Sequence, residues 1–107
     1  EAIIKATDTD SAVTGLRSGH GGVRSLKNAF TERYLKAEFG RTPKEELTKM
    51  SVGTNRRAAI DGDIENGAVQ CGQSLNRLQR IEPAKAIVDS VISEAKAAIK
   101  RAQQYAE

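Results

Sequence analysis

Asp61-Gly62-Asp63-Ile64-Glu65-Asn66-Gly67-Ala68-Val69-Gln70-Cys71-Gly72-Gln73 is the least ordinary stretch of this chain. Asp61, Asp63 and Glu65 have the alternating spacing of a calcium loop. Such a loop needs Gly in its sixth place and Glu in its twelfth. Asn66 and Gly72 stand there instead, so calcium is excluded. Asp61-Gly62-Asp63 reads as a turn. The residues after it read as a helix start, with Asn66 as cap. Gly67 and Gly72 permit close backbone approach, and Gln70 and Gln73 carry both donors and acceptors. A helix start lined by small residues and amides suits a flat ligand with polar edges. Tight helix packing through Ala68, Cys71 and Gly72 fits the same residues equally well.

Downstream, Val69, Leu75 and Leu78 are the inward-facing candidates. Pro83 then opens the clearest element of the chain. Ala84, Ile87, Val88, Val91, Ile92, Ala95, Ala98, Ile99 and Ala102 recur in steps of three and one, which predicts a helix from 83 to about 105. At 1.5 Å per residue it would be roughly 35 Å long. Its stripe needs an apolar partner along its length, and residues 1–82 offer little continuous apolar surface.

Upstream, Asn55 to Ile60 reads as a short helix. Thr42-Pro43-Lys44-Glu45 has the form of a helix start, with Thr at the N-cap, Pro at N1 and Glu at N3. That helix ends near Met50 or Gly53. From Val23 to about Glu38, the residues Val23, Leu26, Ala29, Phe30, Tyr34 and Ala37 mark one face of a helix closed by Gly40. Gly19-His20-Gly21-Gly22 is a loop. Its N–H groups, with Arg24 and Lys27, could meet a phosphate, but it matches no phosphate-loop or dinucleotide fingerprint. Residues 11–17 alternate as a short strand, and residues 1–7 read as the end of a helix. The fold class expected is mainly α with one short strand.

Composition narrows the function. The chain has 107 residues, 38% apolar and only 4% aromatic, and no run nears the roughly 20 apolar residues of a spanning helix. One cysteine, Cys71, forms no disulfide and suits a reducing, cytoplasmic setting. One Cys and one His cannot build a zinc site, and a Cys71–His20 nucleophile pair lacks a third member. His20 reads as a polar loop residue or a single ligand contact. The net charge of +3 is uneven, with +5 in residues 23–60 and −1 on either side. A small basic helical module binding nucleic acid or an acidic protein is therefore a second reading. The scarcity of aromatics argues against nucleic acid.

Collinear blocks then show a resemblance. Asp61 to Gln73 resembles the stretch G-D-(V/I)-E-N-G-S-V-M-A-G-Q of the bacterial FMN-dependent enoyl-acyl-carrier-protein reductases (reductase II) and their nitronate monooxygenase relatives. Ile4-Lys5-Ala6-Thr7-Asp8-Thr9-Asp10 resembles their I-L-K-A-T-D-T-D, and Val23-Arg24-Ser25-Leu26-Lys27-Asn28 resembles V-R-x-L-K-N. Thr31, Arg33 and Leu35 follow in similar places. The resemblance spans nearly the whole chain.

It implies the C-terminal portion of a (β/α)8 TIM-barrel flavoprotein, with a helical subdomain packed on the barrel. Three regions follow: 1–22, a helix end, strand and Gly loop; 23–62, a helical insert; and 63–107, a flavin-proximal segment and C-terminal helix. The cofactors implied are FMN and NAD(P)H, with Gly67, Gln70, Cys71, Gly72 and Gln73 lining the flavin pocket. The reaction implied is hydride transfer to an enoyl thioester of acyl carrier protein in fatty-acid synthesis. In the nitronate branch, FMN and oxygen act on a nitronate instead. No catalytic residue is carried over: the family's catalytic His and its flavin-phosphate turn lie upstream, and His20 does not match that His. Further partners implied are the upstream barrel and, as an assembly, a homodimer; no membrane and no metal is implied. Gln70-Cys71 departs from the family's Met-Ala, which bears on substrate preference, and an extra glycine stands at Gly21-Gly22.

Overall fold

The computed structural model describes residues 1–19 and 21–106; His20 and Glu107 lie outside the described residues. In order, the elements are α1 (Ala2–Lys5), β1 (Ser11–Thr14), β2 (Val23–Leu26), α2 (Ala29–Phe39), α3 (Lys44–Ser51), α4 (Thr54–Ala59), a 3₁₀ turn (Leu75–Arg77) and α5 (Ala84–Gln103).

Two expectations fail here. Residues 23–26 are a strand, so the fold has two strands where one was expected. β2 pairs antiparallel with β1, Ala12 opposite Ser25 and Thr14 opposite Val23. The spacing of Val23 and Leu26 fits a helix face, but pairing with β1 decides the conformation. With the helix starting at Ala29, the phosphate reading of Gly19–Gly22 as a helix N-terminus falls. That N-terminus is already closed by Asn28, whose side chain accepts from Thr31 N while Thr31 Oγ1 accepts from Asn28 N.

The second failure concerns residues 66–74, which form no helix. Ser25 and Gln70 make an antiparallel bridge, flanked by Leu26 N donating to Val69 O at 2.9 Å and Cys71 N donating to Arg24 O at 3.1 Å. Asn66 caps nothing; its amide donates to the Asp63 carboxylate within a turn. Backbone groups that a helix would bond internally are engaged with β2, leaving β2 flanked on both edges.

Smaller shifts occur at α3 and α2. Pro43 itself is the N-cap of α3, in extended conformation and without a side-chain cap bond, so the Thr42 box does not form. At the end of α2, the left-handed residue is Arg41 (φ 61°), not Gly40 (φ −72°).

The core gathers Phe30 and Tyr34 of α2, Leu47 of α3 and Ala68, with Ala37 and Met50 at its edge. The rings of Phe30 and Tyr34 tilt at 51° with centroids 5.8 Å apart, within the range of favourable aromatic pairs. Leu75 is buried and Leu78 exposed, while α1 lies against the 3₁₀ turn. The long helix forms where its periodicity predicts, yet it buries no residue. Ile87, Val88, Val91, Ile92 and Ile99 are all half exposed or nearly so. Among the described residues, no helix is long and apolar enough to cross a membrane.

Candidate functional site

The strip from Gly67 to Gln73 is anchored at its start. Asp63 Oδ1 accepts from Asn66 N at 2.9 Å, closing the turn. Asn28 Nδ2 donates to Ile64 O at 2.7 Å and Gly67 O at 2.8 Å, and Ala68 N donates to Thr54 O at 2.9 Å. Gly67 has no room for a side chain: a Cβ there would stand 2.5 Å from Ala58 N and 2.6 Å from Asp63 O. Its role is to let the strip press against α4.

Beyond Ala68 the strip opens outward. Gln70 is exposed, although its backbone sits in the bridge to β2. It borders two hollows at once. The first, about 190 Å³, is walled by Thr14, Gly15, Ser25, Phe30, Tyr34 and Ala68. The second, about 330 Å³ and mostly apolar, lies between the strip, α1 and α4, with Ile3, Ala58, Ile64 and Val69 in its wall. Gly72 and Gln73 are exposed, and no atom other than Ser74's would approach a Cβ on Gly72.

Cys71 is half-buried. Burial pushes its thiol up from the ordinary value, against a weaker downward pull from the Arg24 charge. At neutral pH it is a protonated, poorly nucleophilic thiol. Among the described residues, no group of three or more His, Cys, Asp and Glu is placed to hold a metal ion.

Of the five residues expected at the cofactor, Gln70, Cys71, Gly72 and Gln73 form one continuous edge and Gly67 supports it from behind. His20 lies outside the described residues. Sequence reasoning missed Asn28 and Glu38. Asn28 three residues before Thr31 was the legible sign of a helix cap. Glu38 carries no such sign. It is 5% exposed, and its carboxylate accepts from Gly15 N (3.0 Å), Arg17 N (2.8 Å) and Ser18 N (2.9 Å). Burial pushes its pKa up, but these three N–H groups outweigh burial and hold it below the ordinary carboxylate value. Glu38 thereby ties the loop after β1 to α2.

This arrangement has solved relatives. The structure of FabK from Thermotoga maritima matches with a TM-score of 0.82 and 31% identity, over 96% of this chain and 32% of that one. A methionine-to-alanine mutant of FabK from the same organism matches with a TM-score of 0.71 and 31% identity, over 96% of this chain and 29% of that one. No family model matches, and no curated protein does. The chain corresponds to one part of a larger protein fold, spanning about a third of the length of these relatives. The chain is thus similar to one segment of FabK, an enoyl-acyl-carrier-protein reductase II, in line with the resemblance of its motifs.

Proposed function

We propose that this chain is the flavin-proximal part of an FMN-dependent oxidoreductase that reduces enoyl-acyl-carrier-protein thioesters with NAD(P)H. The observation that carries it is the match to FabK over 96% of the chain at a TM-score of 0.82. On this reading the rest of a (β/α)8 barrel packs against the stripe of α5, the enzyme works in the cytoplasm, and the three regions of the chain are 1–22, 23–62 and 63–107.

The exposed edge fits a flavin in part. Neutral amides at Gln70 and Gln73, an open backbone at Gly72 and a protonated Cys71 can border a flat ring with polar edges. On this reading the strip lines one side of a flavin pocket that the barrel completes. Bound FMN would supply the hydride relay from NAD(P)H to the enoyl group. Gln70 orients and hydrogen-bonds at the rim, while the bridge to Ser25 fixes where its side chain starts. Asn28 and Gly67 set the depth of the strip by holding it to α2 and α4.

A chimera tests this: the chain replaces the matched third of Thermotoga maritima FabK. A yellow protein that oxidises NAD(P)H with a crotonyl thioester is expected. A folded but colourless and inert chimera would overturn the proposal, and oxygen consumption with a nitronate alone would move the chain to the monooxygenase branch.

A further inference from the structure

At the end of α2 away from the strip's anchor, the loop after β1 and the start of α3 enclose a hollow of about 270 Å³. Arg17, Arg41 and Lys44 all line it. Among the described residues the only ion pairs are Arg80–Glu82 and Lys85–Asp89, so none of the three cations has a carboxylate partner. Glu45 and Glu46, on the first turn of α3, form no ion pair with them. The one carboxylate in the wall is Glu38, and both its oxygens are occupied by backbone N–H groups. Three cations face one carboxylate, so the wall keeps an excess of positive charge, and an anion among them relieves that excess.

The cations are also positioned. The Arg17 guanidinium lies 4.3 Å over the Phe39 ring centroid, which fixes its plane. The Lys44 ammonium lies 3.9 Å from where a Cβ on Gly19 would stand. Arg41 is held at φ 61°, the only non-glycine residue with positive φ among those described. Glycine would adopt that backbone freely, and the chain has one next door at Gly40, in an ordinary conformation. That backbone closes α2, with Thr42 N donating to Ala37 O at 3.1 Å, and it holds the Arg41 side chain in the wall of the hollow.

We propose that Arg17, Arg41 and Lys44 form a binding site for a phosphate group. Guanidinium groups grip phosphate oxygens two at a time, and the lysine adds a point charge. The inference uses none of the residues Gly67–Gln73 and is independent of the function proposed above.

The test is a titration of the 107-residue chain with inorganic phosphate at constant ionic strength, following the amide resonances of Gly19, Arg41 and Lys44. Saturable shifts confined to this region are expected. Arg41→Gly should weaken phosphate binding by about tenfold or more, while raising the melting temperature because the strained backbone is relieved. Lys44→Gln, which alters no backbone, should weaken binding at unchanged melting temperature, and it keeps the question open to refutation should Arg41→Gly misfold. Phosphoethanolamine and dimethyl phosphate, used in parallel, distinguish a terminal phosphate monoester from a phosphodiester as the natural group. No saturable shift in the unaltered chain, or undiminished binding by Arg41→Gly and Lys44→Gln, would overturn the site.

Discussion

The side-chain amide of Asn28 donates to the carbonyl of Gly67 at 2.8 Å, across 39 positions of sequence. The same side chain accepts from Thr31 N at 2.9 Å, so one residue both starts α2 and fixes the strip. Asn28→Ala should cost about 2 kcal/mol, the sum of a lost cap and lost donors. Asn28→Asp keeps the cap acceptor and loses only the donors, so about half that cost is expected. Urea denaturation of the three proteins checks the ordering; equal losses would refute the double role.

Glu38 predicts an acid-sensitive loop. Its folded pKa is depressed below the ordinary 4.5, so its contribution is complete above that value and is lost as pH falls through the depressed one. Stability should be flat from neutral pH down to about 5 and then decline, with earlier exchange of the Gly15, Arg17 and Ser18 amides. Glu38→Gln should remove this component and cost about 2 kcal/mol at neutral pH, because it leaves buried donors poorly matched. An unaltered acid limb in Glu38→Gln would assign the sensitivity elsewhere.

Gly67→Ala tests a pure contact. The added methyl would meet the backbone of α4 and of Asp63, neither of which is the movable end of a side chain. A loss of about 2 kcal/mol is expected, with displaced resonances at Ala58. A neutral substitution would mean that α4 yields freely.

α5 predicts different costs in two settings. Because it buries no residue, replacing Ile87 and Val91 by Ser should shift the stability of the 107-residue chain by no more than about 0.5 kcal/mol. In the chimera with FabK, the pair should cost about 2 kcal/mol or more, since burial of such side chains is worth that much. Equal effects in both would show that the stripe has no partner in the larger protein.

Much of the fold is legible where periodicity is long or turn chemistry explicit. α5 is readable from nine apolar positions in register, α3 and α4 to within a residue or so of their extents although Thr42 does not cap α3, and the turn at Asp61–Asp63 from Gly62, which adopts φ 73°. Residues 23–26 are not readable this way. A four-residue strand carries too few positions to separate a period of two from one of 3.6, and its partner lies across the glycine loop. The strip at 66–74 fails for a related reason. Asn, Gly and Ala are good helix-start residues, but Asp63 and Thr54 take the N–H groups of residues 66–68, and β2 engages Val69 and Cys71 beyond them. Short motifs, by contrast, carried the likeness to FabK, because they depend on residue identity in sequence and not on which element forms.

The bridge between Ser25 and Gln70 also divides labour within one residue. The main chain of Gln70 belongs to the fold, while its side chain hangs free between two hollows. Exchanging that side chain should therefore cost little folding energy and alter what the rim greets. Position 70 is a dial that selection can turn without dismantling the instrument, and preference for one acceptor over another can drift there first.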